Sequence, residues 1–173
     1  MLFRSFAVML GLTVGGSPVL GVVYRPAAGT LYFAVAGQGA FVRRDGPACQ
    51  LSVSRTVTPA EAVLTLSRSR RSPLVGRFQD RLGFRDSVVC GSLGLKAALI
   101  CEGAADVYVQ DGVVNLWDTC APEALLHEAG GALTDLQGEP LHYGRSPLRV
   151  SGVAATNRVL HQRVIDAVAA CRE

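Results

Sequence analysis

No apolar run in this 173-residue chain reaches the ~18 residues of a membrane span, so a transmembrane helix is not expected. Aromatics are scarce, at 6%, and the densest basic run is only Arg68, Arg70 and Arg71. A wide basic face with stacking aromatics is therefore missing, which argues against a nucleic-acid polymer as partner. No Cys-x-x-Cys pair occurs, and the five cysteines are an odd number. A zinc knuckle or a disulfide scaffold is thus unsupported, and reduced thiols with a cytoplasmic location are expected. The 19 glycines have no three-residue period, which excludes collagen. Charge is also low: 18% of residues against ~25% in an average soluble domain, with a net charge of +3. What fills the chain instead is apolar: 49% of residues, with a mean hydropathy of +0.29. That excludes disorder. It also predicts more apolar surface than one compact domain of this length hides, to be covered by a homo-oligomer or by a further polypeptide segment.

The pattern along the chain divides in two. Residues 6–14, 18–25 and 30–36 are β-rich and separated by Gly15-Gly16 and by Pro26 to Gly29, and Gly37 to Phe41 reads as a turn into another strand. This predicts an antiparallel meander, with 6–14 the first arm of a hairpin rather than a signal peptide, since no Ala-x-Ala site follows. Residues 43–60, polar and holding Pro47 and Pro59, read as a linker, so the parts are expected to be 1–58 and 59–173.

Beyond it, strands and helices alternate. Strands are predicted at 62–66, 86–90, 105–109, 132–136 and 152–155. Helices are predicted from Ser72-Pro73 to Leu82, from Gly91-Ser92 to Glu102, over 121–129, and over 158–171 after Asn157. The fold class is α/β in the mixed α+β sense: a meander followed by a mixed-sheet α/β part.

The chemically informative segment is Leu116-Trp117-Asp118-Thr119-Cys120-Ala121-Pro122-Glu123, running into Glu128-Ala129-Gly130-Gly131. Asp118 precedes a helix, where free N–H groups and the dipole favour a carboxylate and a bound phosphate. A carboxylate there can hold Mg²⁺; it can equally be a helix cap. Cys120 reads as a small buried thiol rather than a nucleophile, since no base is placed beside it. His127, His142 and His161 read as surface histidines, and Glu102, Asp106, Asp111 and Glu123 as helix-end or loop charges.

The segment's wording resembles the second signature of the inositol monophosphatase superfamily, and most of all its 3'(2'),5'-bisphosphate nucleotidase branch. Further stretches are similar to that branch in the same order. They are Val19-Leu20-Gly21-Val22-Val23-Tyr24, Gly37-Gln38-Gly39-Ala40-Phe41, Ser67-Arg68-Ser69-Arg70, Gly91-Ser92-Leu93-Gly94-Leu95-Lys96 with Glu102-Gly103, and Thr134-Asp135-Leu136-Gln137-Gly138. The resemblance implies a partial layered α-β-α-β-α sandwich and a Mg²⁺-dependent phosphatase acting on a small phosphorylated substrate, adenosine bisphosphate or inositol phosphate.

It also implies roles. Asp118 is a metal ligand, Ser67 and Arg70 contact the nucleotide, and Leu93 (through its backbone) and Lys96 contact substrate phosphate. Arg70 stands where the family usually has His; a guanidinium still suits a phosphate or a base face. As a helix lysine, Lys96 could also simply snorkel. The family's first signature, Asp-Pro-Leu/Ile-Asp-Gly-Thr after a Glu-Glu pair, does not occur in the chain. Phe3 to Val14 reads as the strand that follows it, so the resemblance covers the C-terminal two-thirds of such an enzyme. Most of the cation-binding carboxylates are then missing, and an enzyme inactive by itself, or a non-catalytic nucleotide-binding or scaffold remnant, is expected.

Overall fold

The computed structural model describes residues 6–68 and 72–172. Its first sheet is an antiparallel meander in the order β1 (Val8–Val14), β2 (Ser17–Arg25), β3 (Thr30–Val35), β4 (Gly39–Arg43) and β5 (Cys49–Gln50). The turn joining β1 and β2 has φ of 60° at Gly15 and 84° at Gly16. Two successive left-handed residues match the right-handed twist of a hairpin, and only glycine adopts them freely.

The segment read as a linker is not one. It holds β5, buries Leu51, and ties Val53 N–H to the Ala129 carbonyl at 3.0 Å. Asn157 Nδ2 donates to Ser54 Oγ and to the Thr56 carbonyl, each at 2.9 Å. Distant residues bond its backbone and its Ser54 side chain, and composition alone does not show that.

The second sheet is assembled from β6 (Val63–Ser67), α1 (Pro73–Leu82), β7 (Asp86–Cys90), α2 (Leu93–Cys101), β8 (Val107–Asn115), α3 (Cys120–Glu128), β9 (Ala132–Thr134), β10 (Arg149–Thr156) and α4 (His161–Ala170). The strand order is β7-β6-β8-β10-β9. β6 runs parallel to β7 and β8, whereas β10 is antiparallel to β8 and β9. Ser72 caps α1, its Oγ accepting from Val75 N–H at 3.2 Å.

Strand β8 runs six residues beyond the predicted end at Val109. Gly112 (φ 86°) and Gly152 (φ 98°) absorb a register shift against β10 and let the pairing continue.

The protein is a mixed α+β fold in layers. Helices α2 and α3 lie between the two sheets, in a core that includes Val23, Leu95, Leu125 and Tyr108. Helices α1 and α4 cover the far face of the second sheet around Phe78, Leu64 and Val164. The outer face of the first sheet carries exposed Val8, Leu10, Leu12 and Val14, and no helix among the described residues covers it. Among the described residues no helix is long and apolar enough to cross a membrane.

Candidate active site

The site is built where α2 and α3 begin. Gly11 of β1 pairs with Gly21 of β2. A Cβ on Gly11 would stand 2.5 Å from Cys120 Sγ, and one on Gly21 would stand 2.4 Å from the Ala121 carbonyl oxygen. The two glycines thus let the first turn of α3 rest on the sheet backbone, which fixes the depth of Asp118 just before it. Cys120 is buried there, as its apolar context predicts, and burial raises its thiol pKa.

Below Asp118, Thr119 Oγ1 donates to the Leu116 carbonyl at 2.8 Å and lies 3.0 Å from Tyr143 Oη, which donates to Glu123 Oε2 at 2.6 Å. Glu123 lies in the first turn of α3, a helix-end position, but it is no solvated charge: it is buried, and burial pushes its pKa up to about 7 against the opposing Tyr143 hydrogen bond.

Four of the five residues implied by the resemblance, Ser67, Leu93, Lys96 and Asp118, line one cavity of about 330 Å³. The fifth, Arg70, lies outside the described residues. Gly91 and Ser92 complete the rim at the start of α2, Met9 closes the β1 side, and Gln110, Val113, Val114 and Asn115 of β8 form the floor. Gln110 and Asn115 escape sequence reasoning; the available signal was an amide among the valines of Val-Tyr-Val-Gln.

Lys96 does not snorkel. It is 1% exposed, its Nζ donates to the Gly91 carbonyl at 3.2 Å, and it lies 4.6 Å from the centre of the Tyr108 ring. A lysine held inward this way supplies positive charge to the cavity at little further entropic cost. At the mouth of α2 the Ser92 side chain makes no capping bond. The first N–H groups of the helix therefore remain to meet an anion. With Asp118 opposite, the cavity combines cationic and dipolar groups with one carboxylate, which suits an oxyanion shared with a cation.

Other titratable groups stand apart. Asp106, in the loop before β8, is buried and accepts from Ser54 Oγ and, at 2.7 Å, from Val63 N–H, so it is internal scaffolding rather than a solvated charge. His161 is not a surface histidine: its two ring nitrogens lie 3.0 Å from Thr134 Oγ1 and Thr156 Oγ1. His127 and His142 are exposed. No group of three His, Cys, Asp or Glu that could hold a metal occurs among the described residues. Asp118 alone among the cavity's residues is a carboxylate, so these residues do not fit a site for two or more cations.

The inositol monophosphatase family model matches residues 2–173, and the chain belongs to that family. It is similar to the 3'(2'),5'-bisphosphate nucleotidase CysQ of Aggregatibacter actinomycetemcomitans, with 32% identity over 141 residues, 82% of this chain and 52% of that protein. Against the CysQ of Escherichia coli K12 it is 35% identical over 139 residues, 80% of this chain and 54% of that protein. Among solved structures it superposes on an IMPase of Thermotoga maritima with a TM-score of 0.82 at 27% identity, covering 98% of this chain and 63% of that one. The CysQ of Bacteroides thetaiotaomicron gives a TM-score of 0.76 at 26% identity, covering 90% of this chain and 64% of that one. The chain thus spans about half the length of the curated relatives it matches.

Proposed function

We propose that this chain forms the phosphate-binding part of a Mg²⁺-dependent phosphoric monoester hydrolase that removes the 3'-phosphate of adenosine 3',5'-bisphosphate. The observation that carries this reading is the convergence of Asp118, Lys96, Ser67 and the start of α2 on one cavity. The similarity to two CysQ nucleotidases over four-fifths of the chain supports the choice of substrate. In this reading Lys96 and the Leu93 N–H hold substrate phosphate, Ser67 and Arg70 meet the nucleotide, and Asp118 gives one oxygen ligand to Mg²⁺. One carboxylate is too few to gather the cations that such hydrolysis uses. The 173-residue chain by itself therefore turns over phosphate monoesters at no useful rate.

The test is phosphate release from adenosine 3',5'-bisphosphate, and from inositol monophosphate in parallel, with and without Mg²⁺. The chain alone is expected to be silent. Supplying a segment that bears Glu-Glu and Asp-Pro-x-Asp-Gly-Thr, in cis or as a second polypeptide, is expected to produce Mg²⁺-dependent turnover that Asp118→Asn abolishes. Faster release from inositol monophosphate would move the substrate to the inositol class. Robust turnover by the unsupplemented chain would overturn the incomplete site.

The lone carboxylate favours a second reading, a non-catalytic nucleotide binder. It is distinguished by binding of the bisphosphate without turnover even after that segment is supplied. Under both readings, Lys96→Ala weakens bisphosphate binding about tenfold or more, the size of one charge-assisted hydrogen bond.

A further inference from the structure

Asp118 lies in a turn that one threonine closes twice. Thr119 N–H donates to the Leu116 carbonyl at 3.1 Å, and Thr119 Oγ1 donates to the same oxygen at 2.8 Å. That hydroxyl lies 3.0 Å from Tyr143 Oη, which lies 2.6 Å from Glu123 Oε2. Tyr143 comes from the segment between β9 and β10, and its own N–H donates to the Gly16 carbonyl at 3.2 Å. Thr119, Glu123 and Tyr143 are all buried.

Hydrogens decide which form of Glu123 fits this row of three contacts. Thr119 and Tyr143 supply one O–H each, and a carbonyl or a carboxylate supplies none. With Glu123 ionised, two hydrogens serve three contacts. When Tyr143 turns to the carboxylate and Thr119 to the Leu116 carbonyl, the two hydroxyl oxygens meet with no hydrogen between them. With Glu123 protonated, three hydrogens serve three contacts in one direction: Glu123 donates to Tyr143, Tyr143 to Thr119, and Thr119 to the Leu116 carbonyl. A filled chain of this kind strengthens along its length, whereas a buried contact left unfilled is costly. Tyr143 keeps its hydrogen throughout, since burial raises its pKa. Among the described residues, the other titratable groups beside Glu123 are Cys120 and His127. Burial raises the Cys120 thiol; it lowers His127, whose Nε2 lies 3.9 Å from Glu123 Oε1.

We propose that Tyr143 and Glu123 are positioning residues for Asp118: uncharged Glu123 completes a one-way relay that closes the turn from Leu116 to Thr119, and its ionisation, with the proton passing to solvent, loosens that turn. A Glu123 pKa of about 7 brings both forms into play near neutral pH. The consequence for binding rests on the phosphate-site reading of the Asp118 cavity; the relay does not.

The test follows the Glu123 carboxyl carbon and the Asp118 and Thr119 amides by NMR in the isotope-labelled chain from pH 5 to pH 9, in a His127→Gln background. The amides are expected to move with the Glu123 carboxyl, at one midpoint. In Glu123→Gln, whose side-chain amide offers Tyr143 a donor at every pH, they are expected to stay at their low-pH positions. Tyr143→Phe keeps the ring and removes the hydroxyl, so the amides should no longer follow Glu123. Thr119→Ser should retain the coupling and Thr119→Val lose it, which keeps the test standing if the Phe variant does not fold. Amides that follow Glu123 as fully without the Tyr143 or Thr119 hydroxyl, or that do not move with it in the parent, overturn the proposal. The parent and Glu123→Gln are also titrated with adenosine 3',5'-bisphosphate. Glu123→Gln is expected to bind several-fold more tightly than the parent at pH 8.5 and equally at pH 5.5, because a loosened turn must be ordered again on binding. Equal affinities at both pH values overturn the positioning role. Absence of binding in both proteins counts against the phosphate-site reading instead, and the resonances still decide the relay.

Discussion

At the scale of single residues, the turn that carries Asp118 is held by a buried relay rather than by a capping bond. Thr119, Tyr143 and Glu123 form it, and its acidic member is out of water. Burial moves Glu123 from 4.5 to about 7, so the folded state binds a proton more tightly there than the unfolded chain does. Stability from this group is complete below about 4.5, declines as pH rises toward about 7, and is constant above it. The difference across the window amounts to roughly 3 kcal/mol at ~1.4 kcal/mol per unit. His161 acts in the opposite sense: burial lowers it, so its contribution is lost as pH falls below 6.5. Denaturant unfolding of wild type and Glu123→Gln at pH 5 and pH 8, repeated in a His127→Gln background because His127 Nε2 lies 3.9 Å from Glu123 Oε1, separates the two effects. The variant is expected to lose most of the extra stability that the wild type has at pH 5 relative to its own histidine-driven trend. An identical pH dependence in the two proteins would show that Glu123 does not titrate in this range.

At the scale of elements, the decisive contact is α3 on the paired glycines of β1 and β2. Gly21→Ala puts a Cβ 2.4 Å from the Ala121 carbonyl oxygen, a backbone atom that cannot swing aside. The helix start must lift, at a cost of about 1–3 kcal/mol for overpacking. Thermal unfolding should show the loss. The same variant should bind adenosine 3',5'-bisphosphate more weakly, because Asp118 travels with the helix; unchanged stability would mean that the helix tolerates the shift. The sequence disclosed elements whose determinants are local. Ser72-Pro73 marks the start of α1, and the predicted strand 86–90 is β7. It hid what depends on remote partners. The 43–60 segment is held by Ala129 and Asn157, Asp106 by Ser54 and Val63, and His161 by Thr134. Nor does any local pattern bring Lys96 and Asp118, 22 positions apart, to one cavity; only the resemblance of several ordered stretches anticipated it.

At the scale of the whole molecule, the low charge and high hydropathy of the chain find their counterpart in the first sheet. Along β1, Val8, Leu10, Leu12 and Val14 are between 52% and 64% exposed, all on the face opposite α3. Their cross-strand neighbours Leu20, Val22 and Tyr24 continue that face onto β2. The outer edge of β1 pairs with no other strand among the described residues, so an apolar edge lies beside an apolar face. The accessible surface is 8895 Å². A compact monomer of 18.2 kDa is expected to expose about 8100 Å². The excess is roughly one partner's share of a standard protein interface. The isolated chain is therefore expected to self-associate as its concentration rises and to bind a hydrophobic dye. Leu10→Lys with Val14→Lys places two charges on β1 where the replaced side chains face solvent, so folding stability should change by no more than about 0.5 kcal/mol per site. Sedimentation velocity should show less association in the double variant, dye binding should fall, and the melting temperature should stay within a few degrees. A large drop in melting temperature would place these side chains inside a core, and undiminished association would place the sticky surface elsewhere on the molecule.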